Sequence, residues 1–274
     1  GESLKVRATL RWVLWQREAA GDDFERAVRC VRRSGDPARI GFCLADVALP
    51  RAQRGDMEGA FAAFDEAFDH LADPSLELWA LLARTIRGYM LGYFGDLESG
   101  IREIESALGD LRRLRAPVAL TEPLENLALF QLRTGRFELA LETAGALVQE
   151  GIRFARPGHR ISGLLAMGEA CLHLDAREAA RDHDRLALEL SERLEERGQL
   201  QFARLAVARD HRLEQRYEPA MELASLAYEE ARSRGNPRQW GRAAWEIARC
   251  MRALGRSADA PGWFERAFAS LSIA

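Results

Sequence analysis

The stretch FGDLESG, residues 94–100, returns forty residues later as TGRFELA, 134–140, and had already appeared as RGDMEGA, 54–60. LDAREAA (174–180), QRYEPA (215–220) and LGRSADA (254–260) continue the step, which places Gly55, Gly95, Gly135, Asp175, Gln215 and Gly255 at one repeat position. An imperfect copy, AGDDFERA at 20–27, predicts a first turn around Gly21 and Asp22. Working outward, a small residue follows each turn by five positions: Ala27, Ala60, Gly100, Ala140, Ala180, Ala220 and Ala260. Seven further on stand Ser34, Ala67, Ala107, Leu147, Ala187, Ala227 and Ala267, and seven before the turn Trp15, Ala48, Gly88, Ala128, Gly168, Ala208 and Ala248. Internal periodicity of this length is the mark of a repeat architecture.

The physical reason for small residues at a fixed step is close packing. Two antiparallel helices approach to about 8 Å only where the facing side chains are small. Between turns the apolar residues fall at i, i+3, i+4 and i+7, as in LENLALFQL (124–132) and LLAMGEACL (164–172), and strand-like alternation is missing. Pro37, Pro74, Pro117, Pro157 and Pro237 punctuate the links, where a helix must stop. Pro50 and Pro261 fall inside expected helices, which each should kink or begin late. Asp175 stands in a turn glycine's place, and Asp184 in that of a large apolar residue, which predicts looser packing in that pair.

With the small residue, the turn Gly, and Ala at five and twelve positions beyond it, the chain resembles the tetratricopeptide repeat family over essentially its whole length. The resemblance implies an all-α solenoid of about seven antiparallel helix pairs, coiled as a right-handed superhelix. As one domain these pairs would span approximately 4–40, 41–80, 81–120, 121–160, 161–200, 201–240 and 241–274. The long step is similar to that of MalT-like and LuxR-type large ATP-binding bacterial regulators, and of the peptide-sensing Rap and PlcR-like receptors.

Composition narrows the function. A net charge of −3 argues against a dedicated nucleic-acid binder, which carries a basic excess. No apolar run approaches the roughly 20 residues that span a bilayer, and no signal peptide is visible. Cys30, Cys43, Cys171 and Cys250 lack CxxC spacing and read as reduced thiols, which with the absent leader points to the cytoplasm. Lys5 is the single lysine among 39 basic residues. That bias reads either as guanidinium recognition of carboxylates and phosphates or as genome composition. A chain starting at Gly1 and stopping at SLSIA reads as a piece of a longer protein.

Motifs for chemistry are missing. There is no phosphate-binding glycine loop and no HxxxH or HExxH spacing, and in Asp182-His183-Asp184 adjacent helical residues do not converge. The expectation is therefore no enzyme, no cofactor and no metal. The resemblance further implies that the first helix of each pair lines a concave groove, at positions ten and six residues before the turn. Carried over, these are Trp12 and Gln16, Ala45 and Leu49, Thr85 and Tyr89, Glu125 and Leu129, Leu165 and Glu169, Leu205 and Arg209, Trp245 and Arg249. Arg212, Arg242 and Arg252 join the basic end near Trp245. The groove would take a protein or peptide, with the arginines holding an acidic segment, or the arginines are a solvated face and Trp245 packs between repeats. The expected role is a sensor or scaffold domain of a bacterial signalling or transcription regulator that controls neighbouring domains. The alternatives are a stand-alone Rap-like peptide receptor or a kinase-associated scaffold. Expected partners exclude direct nucleic acid and membrane. Self-association through an open solenoid end is a further expectation.

Overall fold

The computed structural model describes residues 2–13, 16–256 and 258–271, and Trp15 lies outside them. Helices follow one another throughout: α1 (Glu2–Val13), α2 (Arg17–Arg32), α3 (Pro37–Gln53), α4 (Met57–His70), α5 (Glu77–Phe94), α6 (Leu97–Arg113) and α7 (Thr121–Arg133). They continue as α8 (Phe137–Arg153), α9 (Pro157–His173), α10 (Arg177–Arg193), α11 (Arg197–Leu213), α12 (Tyr217–Ser233), α13 (Pro237–Ala253) and α14 (Ala260–Leu271). Single 3₁₀ turns, Pro74–Leu76 and Pro117–Leu120, precede α5 and α7. No strand occurs among the described residues. The class is all-α, as the periodicity predicts.

The underlying step is twenty residues, half the one most visible in the sequence. Helices α8 to α13 are each 17 residues long, and the links between them are three. Each link turns through a left-handed residue: Ala155 (φ 50), Asp175 (φ 57), Glu195 (φ 51), Gln215 (φ 63) and Gly235 (φ 66). The next amide then reaches back five residues, as from Arg156 N to the Gly151 carbonyl and from Ala176 N to that of Cys171, both 2.8 Å. This is the Schellman arrangement, which satisfies the last carbonyls of a helix. Pro37, Pro157 and Pro237 then open helices at the first helical position, where no amide is needed. Helix α3 runs through Pro50 to Gln53, and α14 begins at Ala260, next to Pro261, three residues later than the step requires.

The first copy is corrected. Gly21 and Asp22 lie inside α2, so no turn exists there. The register of pair one is forty residues from pair two. Ala8 matches Ala48, Ala20 matches Ala60 and Ala27 matches Ala67, all with no exposed surface.

Contacts divide the chain into two compact units, 1–131 and 132–274. Within the first, α1 packs on α2, α3 on α4 and α5 on α6, while α2 meets α3 and α3 meets α5. Its core holds Phe24, Leu44, Phe64 and Met90. Within the second, each helix from α8 to α14 packs on the next, and the first helices α9, α11 and α13 lie side by side. Small residues set these approaches. A side chain on Gly163 would press on Val148 and the Ala144 carbonyl, and one on Gly100 would meet the backbone of Gly88 and Gly92.

Candidate functional site

In the first unit most of the expected groove positions are occupied by packing. Ala45 and Thr85 are buried, and the Thr85 hydroxyl donates to the Leu82 carbonyl. Leu49 packs on the core, and Tyr89 meets Tyr93 at 4.8 Å with the rings tilted and stacks against Phe130 at 6.4 Å. Glu125 is half-buried, while Leu129 is exposed. Trp12 sits at the end of α1 with the Arg17 guanidinium 4.0 Å over its ring, and Gln16 is the exposed residue before α2. With the register corrected, the positions equivalent to Ala45 and Leu49 are Lys5 and Thr9. Lys5 holds Asp46 at 2.9 Å and lies 3.4 Å over the Phe42 ring. Burial raises the Asp46 carboxyl above its ordinary range, and the Lys5 ammonium only partly offsets this.

The second unit carries the charge. Leu165 and Leu205 face the core, and from the same helices Glu169 and Arg209, forty residues apart, bond directly to each other. Arg209 also donates to Asp184 of α10 at 2.7 Å. Arg212 donates to Glu246 of α13, a carboxylate with 10% of its side chain exposed. Two of the five arginines expected in the groove are thus already neutralised inside the fold. Glu169 has a further neighbour in His173, at 3.4 Å. Its carboxyl is held below the usual range: burial opposes this most strongly, but Arg209, Arg242 and His173 together outweigh it.

Asp184, where looser packing was expected, is fully buried. Gly168 makes the space, because a Cβ there would lie 2.1 Å from Asp184 Oδ1. Sequence spacing concealed this group, since its members come from three helices; the signal was an acid at a repeat position filled by Phe64, Ile104 and Ala144 elsewhere.

Three arginines remain. Arg242, Arg249 and Arg252 make no ion pair among the described residues, and they follow one face of α13 with Trp245 at i, i+3, i+7 and i+10. Trp245 meets Phe264 at 5.1 Å and Phe268 at 6.0 Å, both edge-on, yet 42% of Trp245 and 60% of Phe268 stay exposed. Packing on α14 and presentation to solvent therefore coexist. Among the described residues no His, Cys, Asp and Glu group has metal-binding geometry, and no helix is long and apolar enough to cross a membrane.

No family model matches the sequence, and no curated protein matches it. Solved structures do. A Rap protein complexed with competence and sporulation factor superposes with a TM-score of 0.72 at 13% identity, over 99% of this chain and 77% of that one. Aspartyl phosphate phosphatase F from Bacillus subtilis gives 0.75 at 11% identity, over 97% and 69%. A signal transduction ATPase with numerous domains and a tetratricopeptide repeat sensor, from Pyrococcus horikoshii, gives 0.70 at 16%, over 98% of this chain and 44% of that one. The fold is that of the tetratricopeptide repeat. At these identities the likeness speaks for the fold alone.

Proposed function

We propose that this tetratricopeptide-repeat chain is a non-catalytic module that binds a protein or peptide, and that the α13 face takes an acidic segment. The observation that carries it is the contrast among the arginines. Arg209 and Arg212 are spent on internal carboxylates, while Arg242, Arg249 and Arg252 flank an exposed tryptophan and make no direct ion pair among the described residues, Arg242 having Glu169 and Glu246 only as more distant charges. Trp and Arg are the residue types that dominate interface energetics, and guanidinium forks suit carboxylates. The neighbours are compatible with this reading, since one Rap structure is a complex with a factor and another neighbour carries a repeat sensor.

In the fuller reading the chain is one cytoplasmic sensor or scaffold domain of a bacterial signalling or transcription regulator and controls adjoining domains. A stand-alone receptor of the Rap kind is the second reading, favoured by the 77% of the Rap chain that the match spans. Titration calorimetry against a library of acidic and basic peptides tests the binding claim. Acidic peptides should bind, more weakly as salt rises, and Trp245→Ala with Arg249→Glu should lower affinity by about tenfold or more with helicity unchanged. Equal affinity for basic peptides refutes the reading. A large loss of thermal stability in the double variant makes these residues structural instead.

A further inference from the structure

We propose that Asp184 and Asp210 hold one proton between them, and that this shared proton sets how strongly the inner surface of the second unit attracts an acidic partner. The second half rests on the binding reading above; the first does not. Both carboxyls occupy positions that the repeat otherwise fills with apolar side chains. The forty-residue counterparts of Asp184 include Phe64, Ile104 and Ala224, and those of Asp210 include Met90, Phe130 and Cys250. Asp184 has no exposed surface and Asp210 has 6%.

The two carboxyls stand on one guanidinium, that of Arg209, and at that spacing both can be buried at low cost only if one of them carries a proton. Asp184 Oδ1 is buried and accepts from no donor. Its second oxygen takes the Arg209 guanidinium at 2.7 Å, and Arg209 Nε stands 3.9 Å from Asp210. The remaining groups facing the pair do not supply a second full counter-charge. Glu169 and Cys171 come from α9, Arg181 from α10, Glu214 from the end of α11, and Arg242 of α13 stands near Glu169 and Arg209. Arg181 is itself bonded to Glu214. Two buried carboxylates sharing essentially one guanidinium cannot both ionise cheaply.

Burial, the largest cause in each case, pushes Asp184 up to about 7 and Asp210 up to about 6. Asp210 also lines a cavity of about 220 Å³ with Leu172, Arg177, Arg181, Leu213 and Glu214, so the proton can exchange without unfolding. The sign follows from linkage. Between about pH 4 and pH 7 the folded chain binds more protons than the unfolded one, so stability falls as pH rises through that window and levels off above it. Loss of the proton adds one negative charge beside Arg209 and weakens the attraction for acidic segments.

The test is Asp210→Asn, which keeps the shape, can donate to Asp184, and fixes the singly charged state. For the parent chain, Tm should fall by about 5 °C between pH 5 and pH 8. For the variant, the fall should be largely lost and stability at pH 8 at least equal to the parent's. An acidic peptide should bind the parent more weakly at pH 8 than at pH 6 and the variant about equally at both. A variant profile that tracks the parent overturns the shared proton. Should the variant not fold, the infrared carbonyl band of a protonated carboxyl in the unaltered folded chain at pH 6.5 decides the matter, and its absence overturns the proposal. If no acidic peptide binds at any pH, the binding reading and the coupling fall together, while the stability profile still decides the proton.

Discussion

Replacing Gly100 and Gly109 by alanine, one at a time in the same helix, measures what the recurring small residues do. Both sit inside α6 and both gain about 0.8–1 kcal/mol of helix propensity on substitution. Their surroundings differ. A Cβ at Gly109 meets nothing within 4 Å, whereas one at Gly100 would lie 2.6 Å from Gly92 N and 2.7 Å from the Gly88 carbonyl. Those are backbone atoms of α5, so no side chain can swing away and the two helices must separate. Overpacking of that kind costs about 1–3 kcal/mol or more. Gly109→Ala should therefore stabilise by about 0.8 kcal/mol and Gly100→Ala destabilise by about 1–2 kcal/mol, a gap of about 2–3 kcal/mol. In a chain of this size that separates the two Tm values by roughly 6–9 °C. Urea unfolding followed by circular dichroism should show the midpoint moving in opposite directions at constant slope. If both variants shift the same way by the same amount, helix contact is not why the small residues recur.

Ala140→Leu, at a fully buried position of α8, should cost about 1–3 kcal/mol in the same assay. Gln215→Gly should raise stability by about 0.5–1 kcal/mol, because Gln215 holds a left-handed backbone (φ 63) that glycine adopts without strain. A neutral or destabilising outcome there would mean that the glutamine side chain makes a compensating contact.

The pairs of helices were legible because a contact between backbones admits few side chains, and this leaves a mark at every step. The first turn was misplaced for a reason within the same pattern. Small residues stand at five and at twelve positions beyond each turn, and seven residues are almost two full helical turns. A frame shifted by seven therefore keeps the same face of α2 toward its neighbour, with Ala27 taking the role that belongs to Ala20. Gly21-Asp22 imitated a turn, and Trp12 and Gln16 took the repeat positions that the corrected register gives to Lys5 and Thr9. The twenty-residue unit was hidden because Arg115, Ala155 and Glu195, which turn the chain between pairs, are not glycines. The charged group was hidden for another reason. Neighbours along a helix diverge, so Asp182-His183-Asp184 carried no site, while the residues that do converge on Asp184 come from α9 and α11. Comparison down the repeat shows what local spacing does not.

That comparison supports one more substitution. At the positions of Asp184, Arg209 and Asp210 other copies of the repeat carry Ala144, Leu129 and Ala170, neutral side chains taken from different pairs, of which Ala144 and Ala170 have no exposed surface. If the charges served stability, exchanging them for their counterparts would be costly. Removing charge and counter-charge together, however, recovers the expense of taking each out of water, and such exchanges have been neutral or stabilising by about 1–4 kcal/mol. The triple substitution Asp184→Ala, Arg209→Leu, Asp210→Ala leaves Glu169 its other neighbours, His173 at 3.4 Å and Arg242, and should accordingly leave the fold intact, with stability at pH 8 equal to or above the parent's. It should also lose most of the stability change between pH 5 and pH 8. Arg209→Leu alone should be destabilising by about 3 kcal/mol at pH 8, since it leaves a buried carboxylate without its partner. It should be less so at pH 5, where the pair takes up protons. A triple variant less stable than the single one would show that these charges hold the helices together and are not retained for another purpose.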